Sequence, residues 1–390
     1  MSEKIRYVGV NDYNTRLFEG LWPLPYGVSY NSYLIIDEKI ALIDTVDRNF
    51  EDEYMDKIRK EIGGKPVDYL IINHMEPDHS SLITLIREEY PEIVIVCNSK
   101  TVPMLRGYHK GIKDGIKVIG EGETLSLGKT TMQFFMAPMV HWPETMVTYL
   151  KEEKTLFSGD AFGTFGAIDL DSKDRFEHFK DEMIRYYSNI VGKYGTPVQS
   201  ALKKLAGLEI SRICSTHGPV WEARIPDVMS LYDKMSRYEA EPGVCIVYGS
   251  MYGNTAKAAN ALAEELKERG IPYAIHDLAG NNGQGDGLSG ALRDAFRYDT
   301  IAVGSPTYNN DIFPPVASFM RALQSRLIKN RRFYAFGSYT WAGSSVNLLK
   351  AMAQEMKFDI IQAEGTFAQA YDAGKLDMST VAEIIKNKSR

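Results

Sequence analysis

The stretch Asn73-His74-Met75-Glu76-Pro77-Asp78-His79-Ser80-Ser81 carries four metal-grade side chains within six positions, directly after an apolar run. A lone His or Asp at a strand end is ordinarily a cap or a solvated group. Two imidazoles and two carboxylates in one turn point instead to a shared ligand. Alternation in His74-x-Glu76-x-Asp78 puts three of them on one side of an extended segment, and Pro77 disfavours helix just before it. Of the seven histidines in the chain, two more share this setting: His141 follows "TMQFFMAPMV" and His217 follows "RICST". Asp160 ends "TLFSGD" in the same way. Ligands from separate strands converge when those strands finish at one edge of a β-sandwich, with loops on a rigid scaffold carrying the site.

His74, Glu76, Asp78, His79, His141, Asp160 and His217 are too many groups for one tetrahedral zinc. They suit two ions bridged by a carboxylate, and a mixed nitrogen and oxygen set with open positions fits iron or manganese better than zinc. Glu76-x-x-His79 matches half of the motif of di-iron helical bundles. No second Glu-x-x-His lies on an amphipathic helix, which argues against that architecture.

A second group of residues suits a different ligand. After the apolar run 244–248 comes Gly249-Ser250-Met251-Tyr252-Gly253-Asn254-Thr255, then a helical pattern. Hydroxyls, a glycine and a helix N-terminus together make a phosphate site. With no Lys in the loop it is not a nucleoside-triphosphate loop, and "GETLSLGKT" over 122–130 reads as a turn between strands. Pro306-Thr307-Tyr308-Asn309-Asn310 and Ser338-Tyr339-Thr340-Trp341-Ala342-Gly343 follow later strands, at the carboxyl ends where such sheets bind ligands. They offer the aromatic surface and polar edges that a flat isoalloxazine requires.

The elements that must position these groups fall into two sets. Up to about residue 239, strands are expected over 32–36 and 40–44 (a hairpin), 67–72, 93–97, 132–136, 146–150, 155–158 and 210–214. Helices are expected over 52–62, 80–89, 175–205 (broken near Gly192 and Gly195) and 228–238. From 241 the pattern becomes a regular alternation. Strands over 244–248, 273–278, 300–303, 332–337 and 359–364 are separated by helices over 255–269, 289–296, 315–327 and 345–356, with a last helix over 379–386. A Gly/Asn-rich loop, "GNNGQGDG", follows the second strand. This predicts an open, doubly wound parallel sheet, hence domains of 1–240 and 241–390. A chain of 390 residues is long enough for two cores.

A net charge of −6 gives no electrostatic reason to expect nucleic acid. The absence of an apolar leader or an eighteen-residue apolar run predicts a soluble, cytoplasmic protein without a membrane segment. Cys97, Cys214 and Cys245 each sit in a β-like run, and three cysteines without a CxxC pair argue against a disulfide framework or thiolate metal site.

"HMEPDH", His141, Asp160 in "SGDAFG" and His217 in "STHGP" resemble the metal ligands of the metallo-β-lactamase fold in the variant carried by flavodiiron proteins. The hydrolase pattern is His-x-His-x-Asp-His; Glu76 replaces its second His, a feature associated with iron. The segments 21–35 and 41–46 are also similar to that family, and the three loops of the second half resemble flavodoxin's site for flavin mononucleotide (FMN). The resemblance implies an α/β and α+β protein: an N-terminal metallo-β-lactamase-like αββα sandwich, then a flavodoxin-like five-stranded parallel sheet. It implies one iron on His74, Glu76 and His141 and another on Asp78, His79 and His217, with Asp160 bridging; the counterpart of His79 is not always a close ligand. Ser250, Met251, Tyr252, Gly253, Asn254 and Thr255 would hold the FMN phosphate. Tyr308 and Trp341, with Pro306, Thr307, Asn309, Ser338, Tyr339 and Gly343, would surround its ring.

The implied activity is reduction of dioxygen to water, or of nitric oxide to nitrous oxide, at a di-iron centre fed by FMN. Tyr186 or Tyr187 is a candidate proton donor, although paired tyrosines on a helix more often pack. A 240-residue domain has a radius of gyration of roughly 18 Å, so cofactors side by side in one chain would be far apart. A head-to-tail homodimer, or a dimer of such dimers, would bring each flavin to its partner's irons. No CxxC follows the second domain, so a separate electron donor is expected, rubredoxin first and a reduced deazaflavin coenzyme second. The competing readings are a zinc hydrolase of the same fold, which Glu76 and the second domain oppose, and a non-enzymatic flavin electron carrier.

Overall fold

The computed structural model describes residues 3–169, 175–279 and 287–387. The loop expected over 280–287 lies outside the described residues except for its last glycine. Two compact units are present: Met1–Tyr187 with Tyr194–Asp233, and Ser188–Lys193 with Lys234–Arg390. The division thus falls at 233/234, and a six-residue piece from within 1–240 associates with the second unit.

The first unit holds two sheets. One comprises β1 (Ile5–Tyr7), β2 (Tyr33–Ile36), β3 (Ile40–Ile43), β4 (Tyr69–Ile71), β5 (Val94–Asn98) and β6 (Ile116–Ile119), in that spatial order. The other comprises β7 (Thr124–Ser126), β8 (Thr131–Met136), β9 (Met146–Leu150), β10 (Thr155–Gly159) and β11 (Arg212–Ser215), also in order. Residues two apart share a face of a strand. Tyr33 and Ile35, Ala41 and Ile43, and Met132 and Phe134 accordingly enter one core with Ile71, Val96, Phe157 and Cys214. Leu34, Leu42, Leu70 and Ile95, pointing the other way, are equally buried, so the first sheet is covered on its outer face too. Such two-sided burial is why these strands read as continuous apolar runs. The residues 122–130 form the β7–β8 hairpin, closed by Leu127 N–H to Thr130 O at 2.8 Å.

Two expected helices are interrupted. In place of one over 80–89 there is a single turn, Pro77–Ser80, followed by α1 (Ile83–Glu89). His79 has non-helical backbone angles, and its carbonyl accepts from Thr45 N–H at 2.8 Å. Glu76 stays extended, but Pro77 opens the turn, so Asp78 reaches the site from a helical turn and not from an extended strand. The long helix over 175–205 is α2 (Arg175–Tyr186), a π-turn at Tyr187–Val191, and α3 (Gly195–Leu205). The interruption takes in Gly192, and Gly195 opens α3, near the glycines at which the break is expected. At Gly192 a Cβ would lie 2.8 Å from the Phe296 ring.

The second unit is a parallel sheet in the order β13-β12-β14-β15-β16, where β12 is Glu241–Tyr248, β13 Tyr273–Asp277, β14 Tyr298–Gly304, β15 Arg332–Tyr339 and β16 Asp359–Ile360. The fifth lane is interrupted: β16 stops early, and β17 (Thr366–Ala368) resumes pairing with β15. The chain passes close to β15 at Gly365, where a Cβ would sit 2.0 Å from Ala335 O. Helices α4 (Asn254–Glu268), α5 (Gly287–Arg297), α6 (Pro314–Ser325), α7 (Ser345–Glu355) and α8 (Met378–Asn387) intervene or follow.

Arg331 ties this unit together. It is 2% exposed, and its guanidinium donates only to backbone carbonyls: Ala295 and Phe296 at the end of α5, Tyr238, Lys329 and Asn330, at 2.8–3.3 Å. The carbonyl end of a helix favours a cation, which offsets part of the desolvation. Replacing Arg331 with Met would leave several buried acceptors unpaired. Arg331→Met is expected to lower stability by about 3 kcal/mol, read as a shifted denaturation midpoint; a change within about 0.5 kcal/mol would contradict this account.

Candidate metal centre and cofactor cleft

All seven residues singled out for a metal meet at one edge of the sandwich. Asp160 directly follows β10, and Thr216 and His217 follow β11, which runs parallel to β10. The β8–β9 connection carries His141, and Met146 N–H donates to Asn73 O at 2.9 Å, joining the edges of the two sheets. Asn31, in the "SYNSYLI" segment, braces the His217 loop: its amide donates to Ser215 O and Gly218 O at 2.9 and 2.8 Å.

Asp160 is fully buried and faces both halves of the group. Its Oδ2 lies 3.0 Å from His141 Nε2 and 3.6 Å from His74 Nε2; Oδ1 lies 3.2 Å from His79 Nε2 and 3.8 Å from His217 Nε2. Glu76 Oε2 joins the first half, 3.0 Å from His141 Nε2 and 3.5 Å from His74 Nε2. Asp78 joins the second, 3.2 Å from His217 Nε2 and 3.4 Å from His79 Nε2. Within this cluster His74, His79 and His217 Nε2 and both Asp78 oxygens are buried without a hydrogen-bond partner. Such orphaned acceptors are rare in a folded interior, and two bound cations would satisfy them. The donor set, nitrogen and carboxylate oxygen without sulfur, fits iron or manganese.

Outer partners fix two of the imidazoles. His74 Nδ1 donates to Glu144 Oε1 at 2.7 Å, and the same oxygen accepts from Met75 N–H at 3.0 Å. His217 Nδ1 donates to Ser29 O at 2.8 Å. Each contact directs Nε2 into the cluster, the usual device for orienting a metal-bound histidine. Thr216 Oγ1 donates to Asp160 Oδ1. Glu144, Ser29 and Thr216 were not identified from sequence; the one signal was an acid three residues after His141 in "HWPET".

The walls are aromatic. Trp142 meets His74 edge-on at 5.2 Å, and Phe18, Tyr30 and Tyr186 lie 5.3–5.7 Å from the His217 ring. The two candidate tyrosines part company here. Tyr186 has a buried hydroxyl without a hydrogen-bond partner, and burial together with Asp160, Glu76 and Asp78 pushes its pKa well up. Tyr187 instead packs edge-on against Tyr232 at 4.9 Å.

The field of the cluster is strongly proton-attracting. Burial alone would lower the His79 and His141 pKa values, yet Asp78 and Asp160 raise His79, and Asp160 and Glu76 raise His141, each to about 9. Burial works against the charge of Asp160 as well, but the surrounding imidazoles hold it well below the usual carboxylate range.

The cleft of the second unit has a volume of about 480 Å³, within the range of small-molecule sites. Of the residues expected around FMN, Ser250, Met251, Tyr252, Asn254, Thr255, Pro306, Thr307, Tyr308, Asn309, Ser338, Tyr339 and Trp341 line it, joined by Asn310, Thr340, Ala342 and Gln369. Gly253 and Gly343 act through the backbone instead. Gly253 has φ +83° just before α4, and a Cβ on Gly343 would press on the Tyr339 ring at 3.0 Å. No side chain caps the first amides of α4, which leaves them for an anion. Thr255 Oγ1 and Ser338 Oγ lie 3.1 Å apart beside them. Tyr252 and Trp341 are 89% and 88% exposed at the rim, placed to cover a flat ring. These features fit FMN.

Two outcomes follow for the metal centre. A metal binds neutral imidazole, so uptake by metal-depleted protein displaces protons from His79 and His141 below about pH 9. Affinity for Mn²⁺ should therefore climb from pH 7 towards 9 with measurable proton release, and a flat profile would refute this. Removing the Glu144 carboxylate, as in Glu144→Ala, should weaken metal binding about 10–100-fold by equilibrium titration.

Comparison with known proteins places these sites in context. A family model described as ODP family beta lactamase matches residues 28–218, and a Flavodoxin model matches 246–387. The anaerobic nitric oxide reductase flavorubredoxin of Escherichia coli O1:K1 is 33% identical over 367 residues, covering 92% of this chain and 76% of that protein. An uncharacterized protein of Methanocaldococcus jannaschii is 34% identical, covering 92% and 90%. Among solved structures, rubredoxin oxygen:oxidoreductase of Desulfovibrio gigas superposes with a TM-score of 0.90 at 30% identity, covering 100% of this chain and 98% of that one. The flavodiiron protein of Giardia intestinalis gives 0.92 at 27% identity, covering 100% and 97%. Two of these relatives are oxidoreductases by name, and the two matched domains and the similarity across both place this chain in the flavodiiron protein family.

Proposed function

We propose that this chain reduces dioxygen to water, nitric oxide to nitrous oxide, or both, at two irons held by residues of 1–240 and supplied with electrons by FMN held in 241–390. The observation that carries the reading is the buried Asp160 carboxylate, with imidazole nitrogens facing each of its oxygens. His74, Glu76 and His141 would hold one iron, Asp78, His79 and His217 the other, and Asp160 both. Bound there, the irons would supply electrons and open coordination positions to the gas, and FMN would replenish those electrons.

The chain's own residues do the rest. Glu144 and the Ser29 carbonyl keep the His74 and His217 rings aimed inward, so little reorganisation accompanies the reaction. Phe18, Tyr30 and Trp142 exclude water from the imidazoles. Tyr186 keeps a proton on its hydroxyl beside the carboxylates, where a reduction that consumes protons needs one, while the Tyr187 ring packs against Tyr232. Ser250 to Thr255 would hold the phosphate, and Tyr308 and Trp341 would flank the ring.

Rubredoxin is the proposed electron donor, in keeping with the names of two of the relatives. A head-to-tail homodimer, alone or paired into a tetramer, is proposed as the working assembly. No helix among the described residues is long and apolar enough to cross a membrane, and the cytoplasm is the proposed location.

The test is Asp160→Ala. The variant should lose most of its iron and slow the anaerobic reoxidation of reduced protein by nitric oxide or dioxygen by more than about 100-fold, beyond the effect of losing an outer hydrogen bond, while retaining FMN. Wild-type turnover in that variant, or competent protein carrying only zinc, would sink the proposal.

A further inference from the structure

The metal loop 73–79 is held at both ends by two consecutive residues just past β3, Asp44 and Thr45. The buried carboxylate of Asp44 grips Asn73 twice: Oδ1 accepts from the Asn73 backbone N–H at 2.8 Å, and Oδ2 from the Asn73 side-chain amide at 3.2 Å. Thr45 N–H donates to the His79 carbonyl at 2.8 Å. The grip has a fixed base. Asp44 N–H donates to Ile71 O at 2.9 Å, and the Asp44 carbonyl accepts from Ser32 Oγ at 3.1 Å and the Tyr54 hydroxyl at 3.2 Å. Asp44 stands at φ +52°, a left-handed conformation that Asp adopts more readily than most side chains.

Burying a carboxylate is costly unless donors meet it, and of the side chains of this size only a carboxylate accepts with both of its terminal atoms. Asn73 is buried too, and its remaining acceptors reach the second sheet: Oδ1 accepts from Thr148 Oγ1 at 2.8 Å, and the backbone O from Met146 N–H at 2.9 Å. The Asn73 amide therefore has one sense only, nitrogen to Asp44 and oxygen to Thr148. This path from β3 through Asn73 to β9 sets where the loop begins. The loop then supplies His74 and Glu76 to one side of the centre and Asp78 and His79 to the other. With Thr45 holding the far end, a displacement at Asn73 moves the first pair relative to the second.

Resting on the two-metal reading above, we propose that Asp44 is a positioning residue of this centre: acting through Asn73, its carboxylate fixes the near end of the loop and so sets the spacing between the two halves of the ligand set. Charge-assisted hydrogen bonds are about twice as strong as neutral ones, which suits a contact that must hold its geometry against the pull of bound cations.

The experiment is a Co²⁺ titration of metal-depleted full-length protein, followed by equilibrium affinity and by the visible ligand-field absorption, which reports coordination geometry. Wild type is compared with Asp44→Asn, Asn73→Asp and the double variant. Asn73→Asp sets two carboxylates face to face. Asp44→Asn either opposes two amide nitrogens or turns the Asn73 amide over and strands the Thr148 hydroxyl. With both substitutions every bond returns, donor and acceptor exchanged, and the new carboxylate at position 73 still accepts from Thr148. A merely structural role would shift the denaturation midpoint and leave the band of bound Co²⁺ unmoved. The expected result is two Co²⁺ bound by wild type, binding weakened about tenfold or more with an altered band in each single variant, and recovery to within about threefold, with the wild-type band, in the double variant. If either single variant binds Co²⁺ as tightly as wild type or tighter, or if the double variant stays as weak as the singles, the inference is overturned. A single variant that fails to fold leaves the double variant to decide in the same way. If wild type does not bind two Co²⁺, the two-metal reading fails and takes this inference with it.

Discussion

A carboxylate with no water around it must find positive charge, and Asp160 finds it in four imidazoles drawn from three separate segments of the chain. Transfer of a lone charge into a protein interior is prohibitive, so Asp160 is tolerable only if the strands deliver His74, His79, His141 and His217 to the same edge. The surrounding architecture can be understood as meeting that demand. The β10–β11 parallel pair sets Asp160 and His217 side by side, the Asn73–Met146 contact brings the first sheet's loop against the second, and Asn31 holds the last loop shut.

The electrostatic balance also explains why the centre is built from both sheets. A single strand end offers few groups, and four imidazoles in one loop could not all point inward. Spreading them over three loops leaves each ring's second nitrogen free to be fixed by an independent partner, Glu144 for His74 and Ser29 for His217. His79 lacks such a partner, since its Nδ1 is buried without a hydrogen bond.

Much of this was legible in the sequence, for physical reasons. Each of the seven residues is of a scarce, chemically loaded type and stands just past an apolar run, so strand ends and site residues could be read together. The loop 249–255 stood out as a cleft wall because it joins a strand to a helix at the carboxyl edge of the sheet, where such sheets bind ligands. What could not be read depends on contacts between distant positions. Glu144 meets His74 across 70 positions, and Ser29 meets His217 across 188. Tyr186 and Tyr187 are neighbours in sequence but point about 100° apart on a helix, and only packing decides which one faces the cluster. The helix expected over 80–89 breaks where Thr45 claims the His79 carbonyl, and Gln369 lines the cleft from beyond the interrupted fifth lane of the sheet.

Tyr252 and Trp341 stand almost wholly in solvent. Two large rings on one rim form an adhesive patch of the sort that soluble proteins otherwise keep small. Until something planar settles between them, that face of the second unit is open to unspecific contact. Filling the cleft thus serves the handling of the molecule as much as its chemistry: with a flat ring seated early in the life of the chain, both aromatic faces would be engaged before an unrelated surface could meet them.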